Sequence, residues 1–257
     1  MNQEGADAMA YYNTNTDAYL NTEVRAADQH DRDLFATHTL LQTIGDPTGK
    51  TVIDLCCGDG RLGWKLLEMG AKSVIGVDIS REMLKRAGDQ RKVLPLHMRE
   101  RIRFVQADLR KSTLKLPQAD IVTGLYVLHY ADSPEAIGGM GRFIARHMKP
   151  DATCAMVTLN PDIDPNRDHS AAQAEEGVHI TFSDGPESHM RIGEFSCPIW
   201  RWTRDVLEPN LADAGLQNFD WQACDLPYSR PDLRTRYAEW LRNPQCVVFS
   251  AQPTPVA

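Results

Sequence analysis

The sequence predicts an α/β fold: a doubly wound, mostly parallel seven-stranded sheet with helices on both faces. Three observations favour this fold. Strand-like and helix-like segments alternate between Thr51 and Leu159, a glycine-rich turn joins the first strand of that series to its helix, and a hairpin pattern follows residue 160. An N-terminal helical lid and a β-hairpin insertion complete the predicted architecture, in which ligands bind outside the carboxyl ends of the strands.

The strand and helix predictions follow the apolar pattern in chain order. Strands are predicted at residues 51–55, 73–78, 102–107, 119–126, 152–159, 217–223 and 245–251. Helices are predicted at residues 27–44, 61–69, 135–148, 204–214 and 232–242, with one more beginning after Ser80, a plausible N-cap. Residues 178–183 and 189–192 alternate apolar and polar side chains around a turn, which predicts the hairpin.

The composition is that of an ordinary soluble globular protein. The chain has 257 residues, of which 42% are hydrophobic and 25% charged, with a formal net charge of −7. This acidic balance argues against a nucleic-acid partner, which needs a cationic surface. The six cysteines include no C-x-x-C pair and no apolar stretch could span a bilayer, so we expect a cytoplasmic protein without a membrane partner. The histidines lack metal-ligand spacing, and we expect no metal.

The segment from Thr51 to Gly63 carries the main functional signal. A short apolar strand ends near Asp54, glycines follow at positions 58, 60 and 63, and a helix begins. Glycines let the backbone approach a ligand closely, and the new helix points its positive end at it. With Asp78 at the end of the next strand, the spacing matches the dinucleotide fingerprint. However, a carboxylate at position 54 would face the pyrophosphate of NAD unfavourably, whereas it would suit a ligand carrying an ammonium and a sulfonium.

At this point the sequence resembles the class I S-adenosylmethionine-dependent methyltransferases. Their first motif reads roughly Asp-Leu-Gly-Cys-Gly-Thr-Gly, and here it stands as Asp54-Leu-Cys-Cys-Gly-Asp-Gly60. Cys56 departs from the family's usual glycine, and we expect the small side chain to be tolerated in the loop. The resemblance implies S-adenosylmethionine as the cofactor, with Asp54, Cys56, Gly58 and Gly60 in its binding loop.

The resemblance assigns further cofactor contacts in the right order along the chain. Asp78 would accept the ribose hydroxyls, Ile79 and Met83 would flank the adenine, Asp108 would meet the adenine amino group and the backbone of Leu109 the ring. The carbonyl of Leu125 would receive the methionine ammonium. Each position has a simpler interpretation, since Asp78 could cap the helix after Ser80, Asp108 could form a turn, and Ile79 and Met83 could be ordinary core.

The chain is predicted to form a single domain over residues 1–257. Residues 1–45 would form the lid, 46–160 the cofactor-binding core, 161–202 a substrate-lid insertion and 203–257 the end of the sheet. Tyr19 is the expected lid contact to the cofactor, although the N-terminal tyrosines could merely anchor a surface helix. We expect the hairpin, together with Trp200 and Trp202, to close an apolar pocket over a small planar substrate.

Methyl transfer from a sulfonium is a direct displacement, so the protein mainly aligns the reactants and excludes water. His129 is the best candidate for a base and Tyr126 for a second catalytic residue, because both follow the fourth strand. His129 could instead tie the strand to a helix. We expect methyl transfer to an N or O atom of a small metabolite, plausibly in secondary metabolism. A protein- or RNA-modifying methyltransferase, a non-catalytic cofactor-binding protein and, less favoured, an NAD-dependent oxidoreductase stay open, as does a homodimer.

Overall fold

The computed structural model describes residues 8–20, 29–170, 173, 177–226 and 231–255. Ten helices of more than three residues are named here in chain order as α1 to α10: Ala8–Thr14, Thr16–Leu20, Gln29–Ile44, Arg61–Glu68, Arg81–Val93, Leu96–Arg99, Pro134–Arg146, Arg204–Asp213, Pro231–Arg236 and Ala238–Arg242. The strands β1 to β10 are Thr51–Leu55, Ser73–Asp78, Ile102–Gln106, Ala119–Gly124, Met148–Leu159, His179–Phe182, Glu187–Ile192, Phe195–Trp200, Leu216–Ala223 and Cys246–Pro253. Within these ranges, no helix is both long and apolar enough to cross a membrane.

The main sheet has seven strands in the order β3-β2-β1-β4-β5-β10-β9. The first five are mutually parallel, whereas β10 runs antiparallel to both β5 and β9. The strand order therefore reverses between β1 and β4: from β1 the chain continues to β2 and β3 on one side, and from β4 to β5 on the other. In sheets of this kind the crevice at such a reversal is the usual ligand site. The doubly wound, mostly parallel sheet predicted from the sequence is confirmed.

Helices cover both faces of this sheet, because the side chains of successive strand residues point to opposite faces. Val52 of β1 belongs to one core cluster, with apolar side chains of α3, α4 and α10. Ile53 belongs to the other, with apolar side chains of α7 and α8. Phe35 of α3 and Trp240 of α10 stack with ring centroids 4.6 Å apart, which joins the first and last helices of the described core.

The fourth predicted strand ends at Gly124 rather than at residue 126, and three further segments differ from the sequence prediction. The strand β5 begins at Met148 rather than residue 152, because the preceding helix already ends at Arg146. The helix predicted at 232–242 is divided at Tyr237 into α9 and α10. The hairpin gains a third strand, β8, and forms a separate antiparallel sheet in the order β6-β7-β8. The strand β8 was not predicted, because its apolar and aromatic residues alternate with polar ones over only a short stretch.

Gly139 of α7 allows the backbone of Arg110, in the segment after β3, to pack directly against the helix. A Cβ atom at Gly139 would lie only 1.8 Å from the carbonyl oxygen of Arg110. Such a separation is impossible between non-bonded atoms, so this contact requires glycine. The backbone at residues 108–110, which borders the crevice, is therefore positioned by α7.

We predict that Gly139→Ala lowers the free energy of unfolding by about 2–4 kcal/mol, because the backbone of Arg110 must move away. Chemical denaturation followed by circular dichroism measures this change. Gly88→Ala is the matched control, since Gly88 lies in α5 and an added Cβ would have nothing within 4 Å. That control should instead raise the free energy of unfolding by about 0.5–1 kcal/mol. Equal stability of Gly139→Ala and the parent would contradict the packing argument.

Candidate active site

A cavity of about 1200 Å³, counted out to its open mouth, lies at the carboxyl ends of β1, β2 and β4. Its wall has two parts. The sheet-edge half comes from the chain segments that follow β1 to β4, between residues 56 and 125. The lid half comes from the N-terminal helices, residues 126–130, Met140 of α7, the end of β5, the three-stranded sheet with Val178 before it, and residues 245–246 at the start of β10. All predicted site residues except Asp54 and Gly60 lie on this wall: Tyr19, Cys56, Gly58, Asp78, Ile79, Met83, Asp108, Leu109, Leu125, Tyr126 and His129.

The glycine loop after β1 has the tight backbone that its sequence predicts. Gly58 and Gly60 take φ angles of 55° and 88°, and Cys56 shares the left-handed region with φ 51°. A Cβ at Gly60 would lie 2.8 Å from the ring of Phe104, so that residue shapes the loop rather than the cavity wall. A Cβ at Gly58 would lie 3.1 Å from the Met83 side chain. The loop backbone therefore reaches the cavity at Gly58, where a side chain would crowd it.

Asp78, at the end of β2, holds the glycine loop and the start of α5 together. One carboxyl oxygen accepts the amide of Gly58 at 2.8 Å, and the other accepts the amide of Ser80 at 2.8 Å. Burial raises the pKa of Asp78, and these backbone hydrogen bonds oppose the shift. A carboxylate has about four acceptor positions, and Ile79 also donates its backbone amide to Asp78, so the capacity left for a ligand hydroxyl at the cavity wall is small but not exhausted. Both interpretations of Asp78, as a capping acid and as a ribose acceptor, are compatible with this geometry.

Asp108 is held by a cation that the sequence analysis overlooked. Arg110 donates from Nε and from an Nη to the two carboxyl oxygens of Asp108, both at 2.9 Å, and its other Nη donates to Asp132 at 2.8 Å. Burial alone would raise the pKa of Asp108, but the hydrogen bonds from Arg110 and its charge bring it below the usual value. Arg110 also lies on the cavity wall. A ligand amino group at Asp108 would share acceptors that Arg110 already uses.

Asp54 lies beneath the glycine loop rather than in the cavity. It is 1% exposed, and neither carboxyl oxygen has a hydrogen bond of full geometry among the described residues. Burial and the nearby Asp78 carboxylate raise the pKa of Asp54 to about 8, while the backbone amide of Gly63 opposes the shift. Asp54 is not among the residues that line the cavity, so the direct contact predicted between its carboxylate and a cationic ligand is not supported. The reason is that Asp54 lies within β1, and the loop that follows the strand separates it from the cavity.

The end of β4 brings Tyr126 and His129 to the cavity. Gly124 ends the strand, Tyr126 turns the chain with a φ of 64°, and His129 lies in the 3-10 turn Leu128–Tyr130. His129 is 5% exposed, and its Nδ1 has no hydrogen-bond partner among the described residues. Burial lowers the pKa of His129 to about 3, so the ring is neutral over the physiological range. A neutral imidazole with an unpaired nitrogen can accept a hydrogen bond or donate one, depending on its tautomer.

The N-terminal helices place Tyr12 and Tyr19 on the cavity wall and contact both the start of α5 and the three-stranded sheet. The Oδ1 of Asn13 accepts the Ser80 hydroxyl at 2.8 Å and the Glu82 amide at 3.3 Å, which fixes α1 to the start of α5. The hydroxyl groups of Tyr12 and Tyr130 are hydrogen-bonded, and burial raises the pKa of both well above the ordinary value. Tyr19 packs on Phe195 of β8 with ring centroids 4.9 Å apart. The tyrosines thus join helices and sheet around the cavity.

The three-stranded sheet contributes only apolar side chains to the wall: Ile180, Met190, Ile192 and Ile199, joined by Val178 just before β6. Trp200 and Trp202 do not lie on it, so the expectation that they close the pocket is wrong. Because strand residues alternate between faces, Ile199 takes the cavity side and Trp200 the other. The Trp202 indole instead donates to the carbonyl oxygen of Ala131 at 2.7 Å and packs against the second core cluster.

Sequence reasoning missed Tyr12, Arg110 and Gln245, which also lie on the wall. The sequence analysis recognised Asp108 but not Arg110. A basic residue two positions after an acid in a turn could have indicated their ion pair. Tyr12 lies in the tyrosine-bearing segment predicted as a lid. Gln245 carries no motif, and only the antiparallel register of β10 beside β5 brings it to this edge of the sheet.

Comparison with known proteins agrees with this geometry. Residues 52–151 match the family model described as a methyltransferase domain. The chain is 26% identical over 132 residues to an uncharacterized methyltransferase of Geobacillus sp., covering 51% of this chain and 58% of the relative. It is 33% identical over 125 residues to a ubiquinone biosynthesis O-methyltransferase of Photorhabdus laumondii, covering 47% and 48%. The chain thus spans about half the length of these relatives. Shorter matches include a tRNA U34 carboxymethyltransferase of Idiomarina loihiensis and a ribosomal protein L11 methyltransferase of Actinobacillus succinogenes.

Solved structures share the fold over nearly the whole chain. The CcbJ methyltransferase from Streptomyces caelestis superposes with a TM-score of 0.65 at 15% identity, covering 97% of this chain and 100% of that one. The DhpI–SAH complex superposes with a TM-score of 0.57 at 17% identity, covering 96% of each chain. Residues 52–151 thus match a methyltransferase domain, and the strand order and the loop at the sheet reversal are those of the class I S-adenosylmethionine-dependent methyltransferase fold.

Proposed function

We propose that this protein transfers the methyl group of S-adenosylmethionine to an N or O atom of a small, uncharged metabolite. The observation that carries the proposal is the division of charge along one continuous cavity wall. The charged side chains among its described residues, Asp78, Asp108 and Arg110, all belong to the sheet-edge half. The lid half combines aliphatic and tyrosine side chains with a neutral histidine and one amide, which favours an acceptor that buries apolar surface.

The sheet-edge half fits the cofactor. Asp78 is the proposed acceptor for the ribose hydroxyls, Ile79 and Met83 offer apolar faces to the adenine, and the loop backbone at Gly58 has no side chain to obstruct it. The backbone of Leu109 and the carbonyl of Leu125 are the proposed polar contacts, with Cys56 and Tyr19 as neighbouring wall. When bound, S-adenosylmethionine supplies an activated methyl group. A structural neighbour is a complex with the demethylated product.

The chain's own contribution to the reaction is alignment, exclusion of water and acceptance of a proton. Residues 1–45 and 161–202 are proposed as the lid and the substrate insertion, because side chains from both line the lid half. His129 is the proposed proton acceptor for the reacting O–H or N–H group, through its unpartnered Nδ1. Tyr126, whose ring centroid is 6.1 Å from that of His129, is the proposed neighbour that orients the acceptor.

The two relatives that act on a ribosomal protein and a tRNA, by their names, define the alternative acceptors. A polymer acceptor would need a surface for its backbone in addition to the reacting group. The net charge of −7 disfavours RNA, because phosphate contacts require neutralising cations. The apolar lid half disfavours a charged protein side chain. A small metabolite is therefore the acceptor class we propose.

We predict that S-adenosylhomocysteine binds this protein and NAD does not, as measured by isothermal titration calorimetry. Asp78→Asn should weaken S-adenosylhomocysteine binding about 10- to 100-fold, because an amide replaces an acceptor-only carboxylate. Glu82→Gln, at the start of α5 and off the described cavity wall, is the charge-matched control and should bind normally. Transfer of isotope-labelled methyl groups into a metabolite extract, and not into total RNA or ribosomal protein, tests the acceptor class. Labelling of either polymer would contradict it.

We predict that His129→Asn lowers kcat by at least about 100-fold while leaving the affinity for S-adenosylhomocysteine unchanged, since the variant loses only the proton acceptor. With a pKa near 3, His129 should contribute no titration to the native kcat profile between pH 5 and 8. His147→Asn is the control for loss of a buried histidine. Its ring bonds to Phe143 and Leu116 lie off the cavity, so stability should fall and kcat should not. A less than threefold change in kcat for His129→Asn would exclude the base role.

The raised pKa of Asp54 also predicts a pH-dependent stability. Between the unfolded value of 3.8 and the folded value of about 8, the folded protein holds a proton that the unfolded chain has released. This contribution is complete below pH 4 and is lost as the pH rises to 8. The free energy of unfolding should therefore fall more steeply from pH 5 to 8 in the parent than in Asp54→Asn, by at most about 1.4 kcal/mol per pH unit. Parallel profiles from urea titrations would refute a protonated Asp54.

A further inference from the structure

Gln245 is a buried amide without a partner at the wall of the cavity. It precedes β10, and its neighbour Cys246 pairs with Leu159 at the carboxyl end of β5. Gln245 is 2% exposed, and neither Oε1 nor Nε2 has a hydrogen-bond partner among the described residues. Its backbone, in contrast, is satisfied, because the Gln245 carbonyl accepts the amide of Asn160 at 2.8 Å. The side chain therefore has no described structural bond to maintain.

An unpaired amide in this position is unfavourable for the folded protein. Buried polar groups are almost always hydrogen-bonded, because a buried donor or acceptor without a partner has lost its hydrogen bonds to water and gained none in return. The wall residues Leu159, Ile180 and Ile192 are apolar and offer no donor or acceptor from their side chains. A partner that enters the cavity can supply both missing bonds. The amide thus distinguishes ligands that carry matching groups from those that do not.

We propose that Gln245 determines acceptor specificity by binding an uncharged molecule with an N–H group adjacent to a carbonyl, as in a lactam or a carboxamide. Oε1 accepts the ligand's N–H, and Nε2 donates to its carbonyl oxygen. A charged ligand group is excluded, because the described lid half holds no compensating charge. This inference rests on the proposed function, since it identifies the acceptor of that same site.

The test uses quinolin-2(1H)-one and coumarin as matched probes. The two are nearly isosteric, but coumarin has a ring oxygen where the lactam has N–H. Calorimetric titration into the protein saturated with S-adenosylhomocysteine should give about 10-fold tighter binding of the lactam in the parent. In Gln245→Met the ratio should fall to about 1, with unchanged affinity for S-adenosylhomocysteine. Failure of the parent to bind the lactam, equal binding of both probes, or a ratio retained in Gln245→Met would overturn the proposal. Failure of S-adenosylhomocysteine to bind would instead refute the proposed function.

Thermal unfolding of the ligand-free protein separates recognition from a structural role. Gln245→Met removes an unsatisfied amide and should raise the unfolding midpoint by about 2–4 °C. Ser188→Ala is the matched control, because the Ser188 hydroxyl is 4% exposed, also unpartnered among the described residues, and off the cavity wall. That control should raise the midpoint and keep the parent's lactam-to-coumarin ratio. A lowered midpoint in both Gln245→Met and Gln245→Leu would assign Gln245 a structural role and overturn the proposal.

Discussion

The site depends on the close contact between the carboxyl ends of β1 and β4. A Cβ at Gly124 would lie 2.4 Å from the carbonyl oxygen of Leu55, so the two strands meet where no side chain fits. Beyond this contact the chains diverge, and Cys56 and Tyr126 take left-handed backbone conformations with φ of 51° and 64°. Such conformations are unfavourable by about 1–3 kcal/mol for residues other than glycine. The packed strands below maintain them, and the crevice opens as a result.

This geometry separates two kinds of chemistry within one cavity. The segments that follow the strands carry carboxylates and backbone amides, because strand ends leave polar groups that neighbouring strands do not satisfy. Asp78 satisfies two such amides and still borders the cavity. The lid half is built from helix, hairpin and antiparallel strand, whose backbone bonds are internal, so it presents side chains alone. The proposed cofactor and the proposed apolar acceptor would therefore meet a polar and an apolar part of the same wall.

The sequence was sufficient for the parts of the fold that depend on local pattern. The strands around Asp54 and Asp78 and the glycine loop were predictable because alternation, spacing and backbone freedom are local properties. Two kinds of feature were not. Whether Ile199 or Trp200 faces the cavity depends on how β8 registers against β7, which no local pattern fixes. The burial of Asp54 depends on how the following loop folds over it. The local sequence would be the same if the aspartate faced a ligand, so it could not distinguish the two positions.

Buried groups without partners distinguish a binding wall from a core. A core with the composition of the lid half would satisfy or omit its polar atoms, since each unmade bond reduces stability. Here His129 and Gln245 both keep polar atoms that are unpaired among the described residues, while Leu159, Ile180 and Ile192 of the same wall are buried. Because a folded protein retains only about 5–15 kcal/mol of net stability, two such groups are a considerable fraction of it. That loss is understandable if the missing bonds are made only when the proposed acceptor binds to the histidine and the glutamine.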